Sequence, residues 1–310
     1  MERIVFMGTP RFAVPTLEAL AAQASYELVC VVTQPDRPAG RGRKLAASPV
    51  KEAALARGLP VWQPATLRDP QAVEKLRALS PTLIVIAAFG QILRPDVLAI
   101  PPKGCLNVHA SLLPRWRGAA PIPAAILAGD EETGVTIMLL DEGMDTGPIL
   151  TQVSLPIHPD DTTGSLTERL ALLGADLLIQ TLPRWLAGEI QPRPQDRGQA
   201  TTCRPLRKEE GWLDWTRPAG QLSRQVRAYN PWPGAYTTWQ GQRLKVLRAA
   251  PVEWHGDQPP GQVIILPEGT AVITGEGALL LFEVQLAGKR AMSITDFLRG
   301  QQDFLGSRLG

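Results

Sequence analysis

Cysteine and histidine are scarce in this chain, three of each among 310 residues. Cys30, Cys105 and Cys203 lie far apart and form no CxxC pair. That excludes a disulfide framework and speaks against a structural zinc site, so no metal is expected. An odd, sparse count suits a reducing compartment. Long hydrophobic runs are also missing. Nothing approaches the ~18 uninterrupted apolar residues of a membrane span. The opening run Ile4-Val5-Phe6-Met7 is too short for the apolar core of a signal peptide, and no small-residue cleavage site follows. The expectation is a cytoplasmic protein without a membrane partner. Charge of one sign is absent too. Thirty-two basic residues stand against 30 acidic ones, for a net charge of +2. So weak a balance neither supports nor excludes a nucleic-acid partner, because what matters is where the charge sits.

What is present is globular. Apolar residues are 44% and charged residues 20%, a balance that builds a core rather than a disordered tail. At roughly 100–200 residues per domain the length suggests two domains. The first half alternates short apolar runs with helical patterns. Strands are expected at Ile4–Met7, Leu28–Val32, Leu83–Ala87, Leu106–Val108 and Gly134–Leu140. Helices are expected over Phe12–Ala22, after Ser48-Pro49 and after Asp69-Pro70, where an N-cap residue precedes a first-turn proline. The order predicts an α/β domain with a doubly wound, mostly parallel sheet over residues 1–189. A helical pattern fills Thr163–Trp185. Residues 190–206 are polar and proline-bearing, which is linker chemistry. From 207 to 310, short β-type runs between Gly, Pro and charged turns predict a small β-barrel or sandwich.

One constellation can carry chemistry. In a strand ending Asn107-Val108-His109, alternate residues face one side. In doubly wound sheets ligands bind beyond the carboxyl ends of the strands. Asp145 follows in the glycine-flanked turn Asp141-Glu142-Gly143-Met144-Asp145-Thr146-Gly147. An Asn, a His and an Asp converging there could move protons and hold a developing oxyanion. Taken alone, the triplet and the turn are equally compatible with ordinary satisfied residues.

Longer segments decide between these readings. NVHASLLPRWRGAAPI (107–122) and GVTIMLLDEGMDTGPIL (134–150) resemble the signature of folate-dependent formyltransferases. IVFMGTPRFAVPTLEAL (4–20) and VVTQPDRPAGRGRKLAASPVK (31–51) narrow the resemblance to the branch acting on methionyl-tRNA. It continues at Tyr229-Asn230-Pro231-Trp232-Pro233-Gly234 and at Ala287–Met292, so it covers nearly the whole chain. The resemblance implies a Rossmann-like formyltransferase domain followed by a tRNA-binding barrel. It implies transfer of the formyl group of 10-formyltetrahydrofolate to the amino group of methionyl initiator tRNA. The catalytic trio would be Asn107, His109 and Asp145. Asn107 and His109 would donate to the oxygen of the tetrahedral intermediate, and Asp145 would orient or charge His109 and help move the amine proton. The folate segment would be Ser111, Leu112, Leu113 and Pro114, through its backbone groups, with Phe89 and Gly90 lining the same pocket. No obligate protein partner is implied, and a monomer is the default.

The stretch QPDRPAGRGRKL (34–45) carries Arg37, Arg41, Arg43 and Lys44 against Asp36 alone. It lacks the GK[ST] ending and the strand-to-helix GxGxxG context of nucleotide loops. A basic glycine-bearing insertion suits phosphate contacts on RNA, and the resemblance implies contact with the acceptor stem. Lys289 and Arg290 would add contacts from the second domain. The linker stretch Cys203–Glu210 matches the family's lysine-rich linker only loosely. Trp212, Trp215, Trp232 and Trp239 are read as core or inter-domain packing, Trp232 especially. His158 and His255 are read as surface residues. The alternative is a formyltransferase acting on an amino sugar nucleotide, which would share the trio but needs no basic insertion. A catalytically dead tRNA-binding protein would not need the trio, and a formyl-folate hydrolase would need neither the basic loop nor the second domain.

Overall fold

The computed structural model describes residues 1–39 and 44–310. They form two compact units. The first comprises Met1–Pro121, Glu132–Pro156 and Thr167–Cys203, and the second Ile122–Glu131, Ile157–Leu166 and Arg204–Gly310.

The first unit is built on a seven-stranded sheet. Its strands are β1 (Glu2–Gly8), β2 (Tyr26–Val32), β3 (Val61–Trp62), β4 (Leu83–Ala87), β5 (Cys105–His109), β6 (Glu132–Leu139) and β7 (Ile149–Pro156). Their order is β7-β6-β5-β4-β1-β2-β3. β3, β2, β1, β4 and β5 run parallel, while β6 and β7 add antiparallel at the other edge. The sheet is therefore mostly parallel, as expected. Every residue of β4 and of β5 is buried. Continuous apolar runs such as Leu83–Ala87 are what a strand covered on both faces requires. Each fully buried Val, Leu or Ile there contributes about 1.5–3 kcal/mol.

The crossover helices start where the sequence signals them. Ser48 accepts from the Lys51 amide at 3.1 Å and opens Pro49–Ala56, and Asp69 accepts from the Gln71 amide at 2.9 Å and opens Pro70–Ala78. Both caps satisfy donors that the first turn leaves without helical partners. Cys30 and Cys105 lie in this core. Burial pushes their thiols up, to about 11 and about 12 respectively.

The second unit carries β8 (Ala235–Trp239), β9 (Gln242–Val252), β10 (Val263–Leu266), β11 (Gly269–Ile273), β12 (Ala278–Leu286) and β13 (Met292–Ser293). The order is β8-β9-β12-β11-β10, with β13 on β12, and every pair is antiparallel. A closed barrel was expected here, and strand pairing does not form one among the described residues. The edge strands β8 and β10 are linked instead through the segment 306–310. Its amides reach Val263, Gly261 and Thr238 carbonyls at 2.9–3.2 Å. The tail thus covers edges that would otherwise present unpaired backbone groups.

Two helices of this unit, Ala219–Ala228 and Ile294–Gly300, were not expected from the β-type pattern around them. Trp215 and Trp239 are core residues, with Trp239 edge-on to Phe297 and Phe304 at 5.6 and 5.3 Å. Trp212 and Trp232 do not follow the packing expectation. They are 38% and 55% exposed. Trp232 sits in the turn that the Gly234 amide closes on the Tyr229 carbonyl, so no strand alternation carries it inward. His158 and His255 are exposed, as read.

Candidate active site

β4 and β5 are parallel neighbours, so their carboxyl ends share one edge of the sheet. Asn107 and His109 occupy that end of β5 and are 9% and 6% exposed. Asp145 comes from the turn between β6 and β7. Its backbone is left-handed, with φ of 52°, a conformation Asp adopts more readily than most non-glycine residues. The structure brings the three together. Asp145 Oδ1 lies 3.5 Å from Asn107 Nδ2 and 3.6 Å from His109 Nδ1. Its other oxygen, Oδ2, accepts from the Gly118 amide at 2.8 Å.

The far side of the imidazole is also engaged. His109 Nε2 lies 2.8 Å from the Trp116 carbonyl. A carbonyl only accepts, so Nε2 carries the hydrogen at this contact. Nδ1 then faces the carboxylate. The same carbonyl accepts from Ser111 Oγ at 3.1 Å, and Ser111 Oγ accepts from the Trp116 amide at 3.0 Å. Two buried donors, an amide and an imidazole, thus stand beside one carboxylate. Such a set can hold negative charge on an oxygen and take part in proton transfer.

The segment expected to meet folate is tied into the first unit through its backbone. Ser111 is fully buried. Its carbonyl accepts from Thr136 Oγ1 at 2.7 Å, the Leu113 amide donates to that same hydroxyl oxygen at 3.1 Å, and Gln152 Nε2 holds the Leu113 carbonyl at 2.9 Å. The Leu112 and Pro114 carbonyls accept from the Arg115 and Thr201 amides. These backbone groups each have a partner within the protein, and each carbonyl keeps a second lone pair. Phe89 likewise belongs to the first unit's core, 2% exposed, with its carbonyl held by Thr9 Oγ1 and Gln34 Nε2 at 2.9 and 3.3 Å. What reaches the sheet edge there is the turn itself, with Ala88 and Gly90 at φ of 47° and 85°.

Among the basic residues, Arg41 and Arg43 lie outside the described residues. The backbone of Arg37–Ala39 pairs antiparallel with that of Lys44–Ala46. Arg37 is exposed and donates to Gln34 Oε1 at 3.3 Å. Asp36, the one acid of the insertion, is occupied elsewhere. It pairs with Lys51 at 2.7 Å and accepts from Gln63 at 2.7 Å, and those two partners hold its carboxyl below the usual range. Lys289 and Arg290 are exposed in the second unit. Among the described residues no group of three His, Cys, Asp or Glu side chains could hold a metal ion, and no helix is long and apolar enough to cross a membrane.

Two groups around Asp145 and His109 escaped the sequence reading: the Gly118 amide and the Trp116 carbonyl. Both are backbone groups, for which side-chain identity carries no signal.

Residues 2–182 match the family model described as formyl transferase, and residues 205–302 match the formyl transferase C-terminal domain. The chain is 54% identical to the methionyl-tRNA formyltransferase of Roseiflexus sp. (strain RS-1), over 99% of this chain and 95% of that one. It is 52% identical to the methionyl-tRNA formyltransferase of Methylococcus capsulatus, over 99% of both. Among solved structures, the N-formyltransferase from Helicobacter canadensis in complex with folinic acid and dTDP-3-aminofucose superposes with a TM-score of 0.67. That match has 18% identity and covers 94% of this chain and all of the other. By model and by identity along its length, the chain belongs to the formyl transferase family and groups with its methionyl-tRNA formyltransferases.

Proposed function

We propose that this protein transfers the formyl group of 10-formyltetrahydrofolate to the free amino group of methionyl initiator tRNA. The observation that carries the reading is the convergence of Asn107, His109 and Asp145 at the carboxyl edge of β5, in a chain 54% identical to a methionyl-tRNA formyltransferase. Acting on a charged tRNA implies a cytoplasmic reaction, and we keep the monomer, without an obligate protein partner, as part of the proposal. An amino sugar nucleotide as acceptor is disfavoured. The sugar N-formyltransferase structures match at 17–18% identity, which speaks to fold alone.

10-Formyltetrahydrofolate supplies a formyl carbon open to attack by an amine. The donor set fits that chemistry, since attack on such a carbon moves charge onto its oxygen. Asn107 Nδ2 and His109 present N–H groups toward it, and losing one such donor typically costs ~10²–10³ in rate. Asp145 holds the imidazole through Nδ1 and supports positive charge on the ring; the proton the attacking amine gives up passes to N10 of the departing tetrahydrofolate as the formyl C–N10 bond breaks. The Trp116 carbonyl keeps Nε2 oriented until a substrate oxygen competes for it. The turn at 88–90 and the segment 111–114 lie on the folate side. Arg37, Arg41, Arg43 and Lys44 meet the acceptor-stem phosphates, and Lys289 and Arg290 add phosphate contacts from the second unit. In this division residues 1–189 are catalytic and 207–310 bind tRNA, while the joining stretch 190–206 belongs to the first unit as far as Cys203.

The test is direct. Purified protein is mixed with 10-formyltetrahydrofolate and charged initiator methionyl-tRNA, and formylmethionine is followed by acid gel or mass spectrometry. Formylation that requires both substrates supports the reading. No transfer to the tRNA, with transfer to a UDP-amino sugar instead, would overturn it.

A further inference from the structure

Asp145 stands on a turn that is otherwise exposed: Asp141 to Met144 and Thr146 all face solvent. Inside the turn, Asp141 Oδ1 accepts from the Gly143 amide at 3.1 Å and from Thr146 Oγ1 at 2.6 Å. A further restraint, on the Asp145 carbonyl itself, comes from 50 residues downstream. Gln195 Nε2 donates to the Asp145 carbonyl at 2.9 Å and to the Gly147 carbonyl at 2.7 Å. Its Oε1 accepts from Arg117 Nε at 2.9 Å. Carbonyls only accept and a guanidinium only donates, so the orientation of this amide is unambiguous and all three of its bonds are satisfied.

The segment carrying Gln195 is itself pinned. Arg193 exchanges two backbone bonds with Ile149, both 2.8 Å, just beyond the same turn. Further on, Thr202–Cys203 pairs with Arg117–Gly118. Gly118 is the residue whose amide bonds Asp145 Oδ2, and Arg117 is the one that holds Gln195. One stretch, 193–203, therefore secures Asp145 twice. It clamps the turn that carries the carboxylate, and it fixes the strand whose amide orients it.

We propose that Gln195, held by Arg117, is a positioning residue for Asp145. Its amide keeps the turn at 145–147 in the geometry that aims Oδ1 at His109 and Asn107. The inference rests on the reading of Asp145 as a member of the catalytic trio. It also gives residues 193–203 a role in catalysis that linker chemistry would not.

The test is a double-mutant cycle in the formylation assay, with full-length protein. Gln195→Ala removes the clamp. Gln195→Glu keeps the shape and the acceptor for Arg117 but turns an acceptor toward two carbonyls. Both should lower kcat by about 10²-fold, the typical cost of misplacing a reacting group by ~1 Å, with KM for the tRNA within about twofold. Because the effect acts through Asp145, Gln195→Ala should cost little further in an Asp145→Asn background, measured in single turnover. Melting curves check that each variant is folded. Wild-type kcat in both Gln195 variants, with Asp145→Asn inactive, would overturn the positioning role alone. Equal losses from Gln195→Ala in both backgrounds would do the same, since a merely structural residue multiplies through. Full activity of Asp145→Asn would overturn the inference together with the catalytic reading beneath it.

Discussion

Replacing Asp145 by Asn changes one atom and tests the charge at the centre of the site. In the native arrangement Oδ2 accepts from the Gly118 amide at 2.8 Å, while Oδ1 faces His109 Nδ1 at 3.6 Å. In Asp145→Asn the side-chain oxygen keeps Gly118, so the NH₂ is left toward His109 and Asn107. It can donate to an unprotonated Nδ1, and that pairs with the hydrogen already required on Nε2 by the Trp116 carbonyl. The ring is then held neutral, with no carboxylate to support charge on it. Two unit charges about 4 Å apart interact by about 4 kcal/mol at an effective dielectric near 20. At 1.36 kcal/mol per tenfold, that is on the order of 10³ in kcat. The NH₂ also faces the Asn107 amide donor, which adds to the loss. Stability should change little, since the Gly118 amide keeps its acceptor. The assay is single-turnover formylation with saturating tRNA, beside melting curves of both proteins. A kcat within about tenfold of wild type, from a protein melting at the same temperature, would refute the charge argument.

Three further outcomes follow from separate features. Gly118→Ala should lower both stability and kcat, because φ is +113° and the new Cβ would meet the Cys203 carbonyl; a left-handed strain of about 1–3 kcal/mol is expected from melting curves. Replacing Arg41 and Arg43 by Ala should raise KM for tRNA and reduce its dependence on salt, by up to roughly 0.7–0.9 in log–log slope for each phosphate that is no longer neutralised. Steady-state kinetics at several salt concentrations check this, and an unchanged slope counts against the loop. Cys30 and Cys105 should resist iodoacetamide at pH 8.5 in the folded protein, since burial raises both thiols, to about 11 and about 12, and only the thiolate reacts. The sign for stability follows. Thiols raised above their unfolded values contribute stability that is intact below about pH 9 and is lost as pH rises toward 11–12. Mass spectrometry of labelled peptides and melting curves across that range test both statements.

The sheet and the trio were legible because each leaves a local signature. Leu83–Ala87 reads as a doubly covered strand since burial on both faces demands an unbroken apolar run. Ser48-Pro49 and Asp69-Pro70 mark helix starts since the side-chain cap and the fixed proline φ act within one turn. Asn107 and His109 share a face by strand periodicity alone. Their meeting with Asp145 was an inference from topology, strengthened by resemblance. What stayed hidden is of another kind. β7, Ile149–Pro156, alternates only loosely between buried and exposed positions, as an antiparallel edge strand can, and so offers no clean period. Phe89 looked like a pocket aromatic, yet its ring is needed to fill the core that Val5, Ile84 and Val97 share. Gln195 could not be singled out in EIQPRPQDRGQATTCRPL because its partners, the Asp145 and Gly147 carbonyls, lie 48–50 residues away. Bonds to backbone carbonyls put no constraint on the partner's side chain and so leave no motif. The side chains of the proposed trio are readable in sequence because the chemistry proposed for them restricts residue type. The groups that aim them are largely main chain, and only the folded structure shows which segment supplies them.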